Sequence, residues 1–283
     1  MKKIALWLCA VALLVCSLGS FAMADAYKVA IPDDATNEGR ALLLLESIGA
    51  IKLKDDAGIT ATTKDIESSV AEIDFVEMQA ATVPTVLQDV DFAIINNNFA
   101  LDNGLNPAKD GLAIESSDSP YSNVVCVKED NKDADLTKAL VAAFSSQQVV
   151  DFIAETYPDG SVVSVVSEPT DGYDASVDYE ALKGTKVSIA VTPVPHELIA
   201  DLVKPILAEK GIELEVIEVT DYVTPNDMLE AGDVYANYFA HIPYQENFNE
   251  ENGTHIAIVA PIHVEPMAIY GGQTADLAVL TGK

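Results

Sequence analysis

Arginine is almost missing from this chain: Arg40 is the only one, and the remaining basic residues are lysines. The 16 basic residues face 45 acidic ones, for a net charge of -29. A surface this acidic repels nucleic acid and anionic membrane, so neither is expected as a partner. The acidity itself reads as a solvated face and says little about a ligand. Cysteine is scarce as well. Cys9 and Cys16 lie in a leader-like segment, which leaves Cys126 between Val125 and Val127. A lone cysteine in an apolar run forms no internal disulfide and reads as a buried, inert thiol.

Catalytic signatures are missing too. Four histidines are present, but His255 and His263 are too far apart for one helical turn and have no cysteine partners, so no zinc site is expected. There is no Gly-rich phosphate loop and no nucleophile elbow. The sequence thus predicts no catalytic residue, no metal and no cofactor. A secreted hydrolase using His241 with a neighbouring acid is the alternative from another functional class.

What is present begins with an export signal over residues 1–24. Lys2 and Lys3 precede an apolar run at 4–18, and Ala22-Met23-Ala24 supplies small residues for cleavage. The run is shorter than the roughly 20 residues of a spanning helix, and none like it follows. Val15 before Cys16 is a poor lipidation site, which argues against a lipid anchor and for a free periplasmic or extracellular protein. The remaining length, about 259 residues, exceeds one compact core and suggests two lobes.

Short apolar strands at 27–32, 92–96, 123–128, 186–191 and 214–219 alternate with amphipathic stretches at 38–48, 136–156 and 196–210. That alternation predicts an α/β protein with mainly parallel sheets flanked by helices. Residues 157–184 are rich in Pro, Gly, Ser, Asp and Thr and read as a linker. Two strand-to-helix openings, at 33–40 and 192–197, place small or polar residues where ligand crevices of open sheets form.

Candidate binding residues cluster at such ends. Arg40, beside Thr36 and Asn37, is a candidate carboxylate clamp, because a guanidinium grips a carboxylate with two parallel bonds where lysine cannot. Asn96, in Asn96-Asn97-Asn98, and Asn123 put amides at strand ends, able to donate to and accept from a zwitterion. Tyr238, Phe239, His241 and Tyr244 crowd rings into a few residues, with Tyr222 from a nearby strand end, a composition suited to an apolar or sulfur-bearing side chain.

These stretches, KVAIPDDATNEGRALLLL, FAIINNNFA, NPAKDG, SPYSNVVCVKEDNKD, VTDYVTPNDMLEAGDVYANYFAHIPY and HVEPMAIY, resemble the MetQ/NlpA family of methionine-binding lipoproteins over nearly the whole mature chain. The resemblance implies a type II-like, two-lobe periplasmic binding protein that closes on L-methionine or a related amino acid and delivers it to an ABC importer permease, as a monomer. It implies carboxylate binding by Arg40 and a hold on the zwitterion by Asn96 and Asn123, with Asn37 nearby. Tyr222, Phe239, His241 and Tyr244 match the side-chain pocket.

The order of the segments departs from the family. The part resembling its first lobe (186–270) follows the part resembling its second (28–156), as in a circular permutant joined through 157–184. The implied division is a lobe at 27–120, a lobe at 121–266, and a segment at 267–283 returning to the first, with hinges near Tyr121 and Pro266. Asp33 and Ala35 also differ from the family's usual Asn and Pro. A receptor of the same shape for another small amino acid or a dipeptide, and a folded protein that senses rather than transports, are the other readings.

Overall fold

The computed structural model describes residues 26–283; the leader segment and Cys16 lie outside the described residues. Thirteen strands are arranged in chain order. β1 (Tyr27–Pro32), β2 (Ile51–Leu53), β3 (Ile66–Ser69), β4 (Ile73–Met78), β5 (Phe92–Ile95) and β6 (Gly111–Ile114) come first. β7 (Ser122–Lys128), β8 (Val163–Ser164), β9 (Lys186–Val191), β10 (Glu213–Glu218), β11 (Ala236–His241), β12 (Ile256–Val264) and β13 (Ala268–Gly271) follow. One five-stranded sheet runs β4-β1-β5-β13-β6, and one six-stranded sheet runs β10-β9-β11-β7-β12-β8. The chain passes between them twice, through residues 115–121 and 265–267.

Each sheet is buried on both faces, and the side-chain period of two sorts its residues. In the first sheet Val29, Ile31, Phe92 and Ile94 pack with Leu42 and Leu45 of the helix Ala35–Ser47. The alternate residues Ala30, Ala93 and Ile95 pack with Val83 and Phe99 on the opposite face. In the second sheet Val125, Ile189 and Tyr238 meet the helices Asp135–Phe144, Gln147–Thr156 and His196–Ala208. Cys126 faces the other side with Val124 and Leu229, fully buried, and burial pushes its thiol pKa up. Residues 157–184, read as a linker, are built into this second unit. Val162 and Val177 are buried in its core, and β8 pairs with β12.

Mainly parallel sheets were expected; two of the four pairings in the first sheet and two of the five in the second are parallel, the rest antiparallel. β4-β1-β5 and β10-β9-β11 are parallel, as βαβ crossovers require. β13 pairs antiparallel with β5 and β6, and β7 pairs antiparallel with β11 and β12. β7 and β13 are the strands reached directly from the crossing segments, without a helical crossover to restore a common direction. Apolar periodicity carries no information on strand direction, so the sequence does not reveal this.

The helix Ala35–Ser47 brings the first strand end to the space between the sheets. Asp34 caps it by accepting from the Asn37 backbone N–H at 3.0 Å. Gly39 sits where the helix crosses the turn Gly58–Thr60, and a Cβ there would lie 2.3 Å from the carbonyl oxygen of Ile59. Gly39→Ala should therefore destabilise the fold by about 1–3 kcal/mol through overpacking, although alanine is the better helix former. Chemical denaturation measures it, and a variant as stable as the parent contradicts the close approach.

Candidate functional site

Between the two sheets lies a cavity lined by Asn37, Arg40, Asn96, Asn97, Asn98, Asn123, Tyr222, Phe239, Ala240, His241, Tyr244 and Glu265. The eight residues matched to the family's binding site all border it, whereas Tyr238, the remaining ring of that run, packs in the second sheet's core. The cleft is shut: His241 Nε2 reaches Asn37 Oδ1 at 3.1 Å, Tyr222 donates to Asn98 Oδ1 at 2.6 Å, and Asn97 donates to the carbonyl of Ser161 at 2.8 Å. Each of these bonds joins the first unit to the second.

Arg40 is 4% exposed and held on three sides. Nε donates to both carboxylate oxygens of Glu115 at 3.0 and 3.1 Å, and Nη2 donates to Glu115 at 2.5 Å and to the carbonyl of Glu265 at 2.7 Å. The guanidinium carbon stands 4.3 Å from the centre of the Tyr121 ring, cation-π range. Burial opposes the charge, but Glu115 outweighs it and holds the Arg40 pKa above its ordinary value. The two-bond grip expected for a ligand carboxylate is thus made with Glu115. Among the described residues Nη1 makes no hydrogen bond, which leaves that one edge of the fork for a ligand.

The amides form a second set. Asn37 Nδ2 donates to Asp34 at 2.9 Å, and Asn37 Oδ1 accepts from Asn96 Nδ2 at 2.8 Å. Three polar atoms are left buried and without partners around the cavity: Asn96 Oδ1, Asn97 Oδ1 and Asn98 Nδ2. Buried groups are rarely left so unless something else satisfies them. Two acceptors and one donor on adjacent residues suit a ligand carrying both kinds of group. The rings make a third set: Tyr222, Phe239 and Tyr244 stand pairwise 5.8 to 5.9 Å apart and form one aromatic wall. Tyr244 donates its hydroxyl to the Tyr222 carbonyl at 2.7 Å, which fixes the wall's shape.

His241 is buried and neutral. Its Nδ1 accepts from the Tyr244 backbone N–H at 3.1 Å, so Nε2 carries the proton given to Asn37. Burial, with Arg40 adding to it, lowers its pKa well below the ordinary value. With neither ring nitrogen free, His241 is poorly placed to take a proton from a substrate, and no nucleophile faces it in the cavity.

Sequence reasoning did not mark Glu265, or the role of His196 and His263 behind it. His263 Nε2 is 2.6 Å and His196 Nε2 3.3 Å from Glu265 Oε1, and all three residues are buried. The second ring nitrogens meet Tyr238 Oη at 2.5 Å and Thr192 Oγ1 at 2.9 Å. His196 Nε2 also lies 3.1 Å from Asn123 Oδ1 and so ties a cavity amide to the same network. Desolvation lowers both histidine pKa values to about 3 and raises that of Glu265. The three side chains have the donor types of a divalent-metal site. Only the acid in His263-Val264-Glu265 hinted at this set, because His196 arrives from a distant helix start.

A shut, polar-and-aromatic cavity between two α/β units joined by two crossings is the architecture of the two-lobe periplasmic binding-protein fold. The particular family is the one described as NlpA lipoprotein, which matches residues 21–166 and 187–282; the chain belongs to it. Over 140 residues it is 42% identical to the D-methionine-binding lipoprotein MetQ of Salmonella typhimurium, a match covering 49% of this chain and 52% of that one. The MetQ protein of Escherichia coli strain K12 is 41% identical with the same coverage. The chain spans about half the length of the curated relatives it matches. Among solved structures, a nutrient-binding protein from Burkholderia cenocepacia bound to methionine is 45% identical, covering 49% of this chain and 58% of that one, at a TM-score of 0.47. Lipoprotein Tp32 from Treponema pallidum is 37% identical, covering 48% and 56%, at a TM-score of 0.46. Because the family is described as lipoproteins, the doubt about a lipid anchor drawn from Val15 finds no support there. Among the described residues no helix is long and apolar enough to cross a membrane.

The neutral histidines predict an acid-sensitive fold. A buried His with a folded pKa near 3 against an ordinary 6.5 takes up a proton on unfolding at intermediate pH. Its contribution to stability is complete above pH 6.5 and is lost as pH falls toward 3. Glu265 works in the opposite sense, since its raised pKa favours the folded state in acid. With His196, His263 and His241 on one side and Glu265 on the other, melting temperature should fall between pH 7 and pH 5. A flat profile contradicts neutral burial.

Proposed function

We propose that this protein is an extracytoplasmic receptor that captures a free amino acid, methionine first, and presents it to an ABC importer permease. The observation that carries this reading is the pairing of two element sets around one closed cavity. Arg40 Nη1 and Asn98 Nδ2 are donors for a carboxylate, Asn96 Oδ1 and Asn97 Oδ1 are acceptors for an ammonium group, and the wall of Tyr222, Phe239 and Tyr244 faces the same space. A thioether packs on ring edges at about 0.3–1.5 kcal/mol per contact, which favours methionine over a hydrocarbon of equal size. The names of the relatives, methionine-binding proteins in several organisms, agree with this chemistry.

Asn37, Asn123 and His241 are the frame rather than the grip, since their polar atoms are largely taken up by one another and by His196. The protein acts as an exported monomer with lobes at 27–120, completed by 267–283, and at 121–266. It releases ligand by opening about the crossings near Tyr121 and Pro266. The exchanged order of the two family segments reflects a circular permutation, in keeping with matches that stop at about half the length of each relative.

Calorimetric titration with L-methionine tests the reading. The parent should bind with a Kd between micromolar and nanomolar, about -8 to -12 kcal/mol. Arg40→Ala should weaken it by roughly a hundredfold or more, about 2.7 kcal/mol. Arg40→Lys keeps the charge beside Glu115 and should still lose at least about tenfold, because lysine lacks the fork. Leucine should bind more weakly than methionine by roughly 1–3 kcal/mol. Tight binding that survives both Arg40 substitutions removes Arg40 from the site, and a folded parent that binds no amino acid contradicts the reading itself.

A further inference from the structure

Behind the aromatic wall the second sheet carries two buried amides that the cavity does not use. Asn226 and Asn237 are fully buried, and neither borders the cavity. Asn237 stands inside the second sheet, paired with Cys126 on one side and Ala190 on the other. Residues paired across a sheet share a face, and this face is apolar, with Val124, Cys126, Ala190 and Leu229 in one cluster. Amides in such surroundings cost stability unless they are hydrogen-bonded. Asn237 Nδ2 donates to Asn226 Oδ1 at 2.7 Å and to the carbonyl of Pro225 at 3.3 Å, whereas Asn237 Oδ1 and Asn226 Nδ2 have no partner among the described residues. An apolar pair would fill this space and leave nothing unmet. What the amides add is direction, because they hold the first turn of the helix Thr224–Ala231 to the strand beneath it.

Both ends of that hold lead to the wall. On the helix side, Asp221 accepts from the backbone N–H groups of Val223 and Thr224 at 2.7 and 2.8 Å and from the Thr224 hydroxyl at 2.7 Å, which ties the turn carrying Tyr222 to the helix start. On the strand side, Phe239 follows Asn237 by two residues. Phe239 lies outside the regular ladder, since pairing with β9 ends at Tyr238 and the register against β7 shifts between Tyr238 and His241. An irregularity of this kind re-aims side chains and leaves their placement to other contacts. The bond from Asn237 to Asn226 is thus a direct link between the strand that carries Phe239 and the helix start that carries Tyr222, whose rings stand 5.9 Å apart.

We propose that Asn237 and Asn226 are positioning residues for side-chain selection: their bond sets the spacing of Tyr222 and Phe239, and with it the preference of the site for an unbranched thioether over the branched chain of leucine. This rests on the amino-acid receptor reading and adds a determinant of selectivity that lies outside the cavity. Neither amide touches the ligand. The pair governs which side chain is preferred and not whether an amino acid binds.

The test is calorimetry with L-methionine and L-leucine, together with thermal unfolding, on the parent, Asn237→Leu, Asn226→Leu and the double variant. The parent should prefer methionine by about tenfold or more. Each variant should bring that preference below about threefold, because methionine weakens while leucine changes little. The double variant should lose no more selectivity than either single one, since the two residues act through one bond. It should also melt near the parent, because replacing both partners by apolar groups leaves no amide unpaired, whereas each single variant orphans one and melts lower. A pair that only supports the fold would weaken both ligands by the same factor, and the stable double variant would keep the parent's preference. That outcome overturns the inference and leaves the receptor reading standing, as does a parent that binds both amino acids equally. Variants none of which folds would make the pair a fold determinant and overturn it as well. A folded parent that binds no amino acid overturns the receptor reading and this inference with it.

Discussion

The ion pair of Arg40 with Glu115 ties a helix of the first lobe to the two segments of chain that lead to the second. Arg40 stands on the helix Ala35–Ser47, Glu115 opens the first crossing segment, and Tyr121 closes that segment under the guanidinium. The carbonyl of Glu265, at the second crossing, takes Nη2. One side chain therefore fixes a helix of the first lobe against both strands of chain that lead to the second. The pair contributes less by net attraction than by constraint, because desolvating two charges offsets much of what their contact returns. Removing one partner is another matter: an unpaired buried charge typically costs about 3–5 kcal/mol.

That constraint explains how a site of neutral amides can be precise. With Arg40 fixed, Nη1 has a defined direction. With Asp34 capping the helix and holding Asn37, the chain of bonds from Asn37 to Asn96 and His241 has one arrangement. The rings of Tyr222, Phe239 and Tyr244 are locked by each other and by the Tyr244 hydroxyl. What remains without a partner is then a property of the built site and not of loose side chains. The capping aspartate, the amide chain and the aromatic wall leave two acceptors and one donor unpartnered on adjacent residues, a set suited to a ligand that carries both kinds of group.

Much of this was legible in the sequence, for identifiable reasons. A sole arginine in a lysine chain stands out because only its planar fork explains the choice, and strand ends carrying Asn96 and Asn123 follow from apolar runs with clear limits. The antiparallel pairings of the sheets were not legible, since alternating burial looks the same in either direction. Nor was the true partner of Arg40, because Glu115 is one of many acids in a chain rich in them and only the crossing brings it to the guanidinium. His196, His263 and Glu265 meet through packing of a helix start, a strand and a crossing, with no spacing to betray them. Residues 157–184 read as a linker by their turn residues, while Val162, Val177 and the two-residue β8 show them to be part of the second sheet's core.

The most direct test of the account is an X-ray structure of the exported chain with L-methionine bound. The account predicts the amino acid within the closed cavity, its carboxylate on Arg40 Nη1, its ammonium group against the free oxygens of Asn96 and Asn97, and its thioether on the wall of Tyr222, Phe239 and Tyr244. Methionine seated elsewhere, or with its carboxylate away from Arg40 while the Arg40 and Glu115 pair is intact, would contradict it.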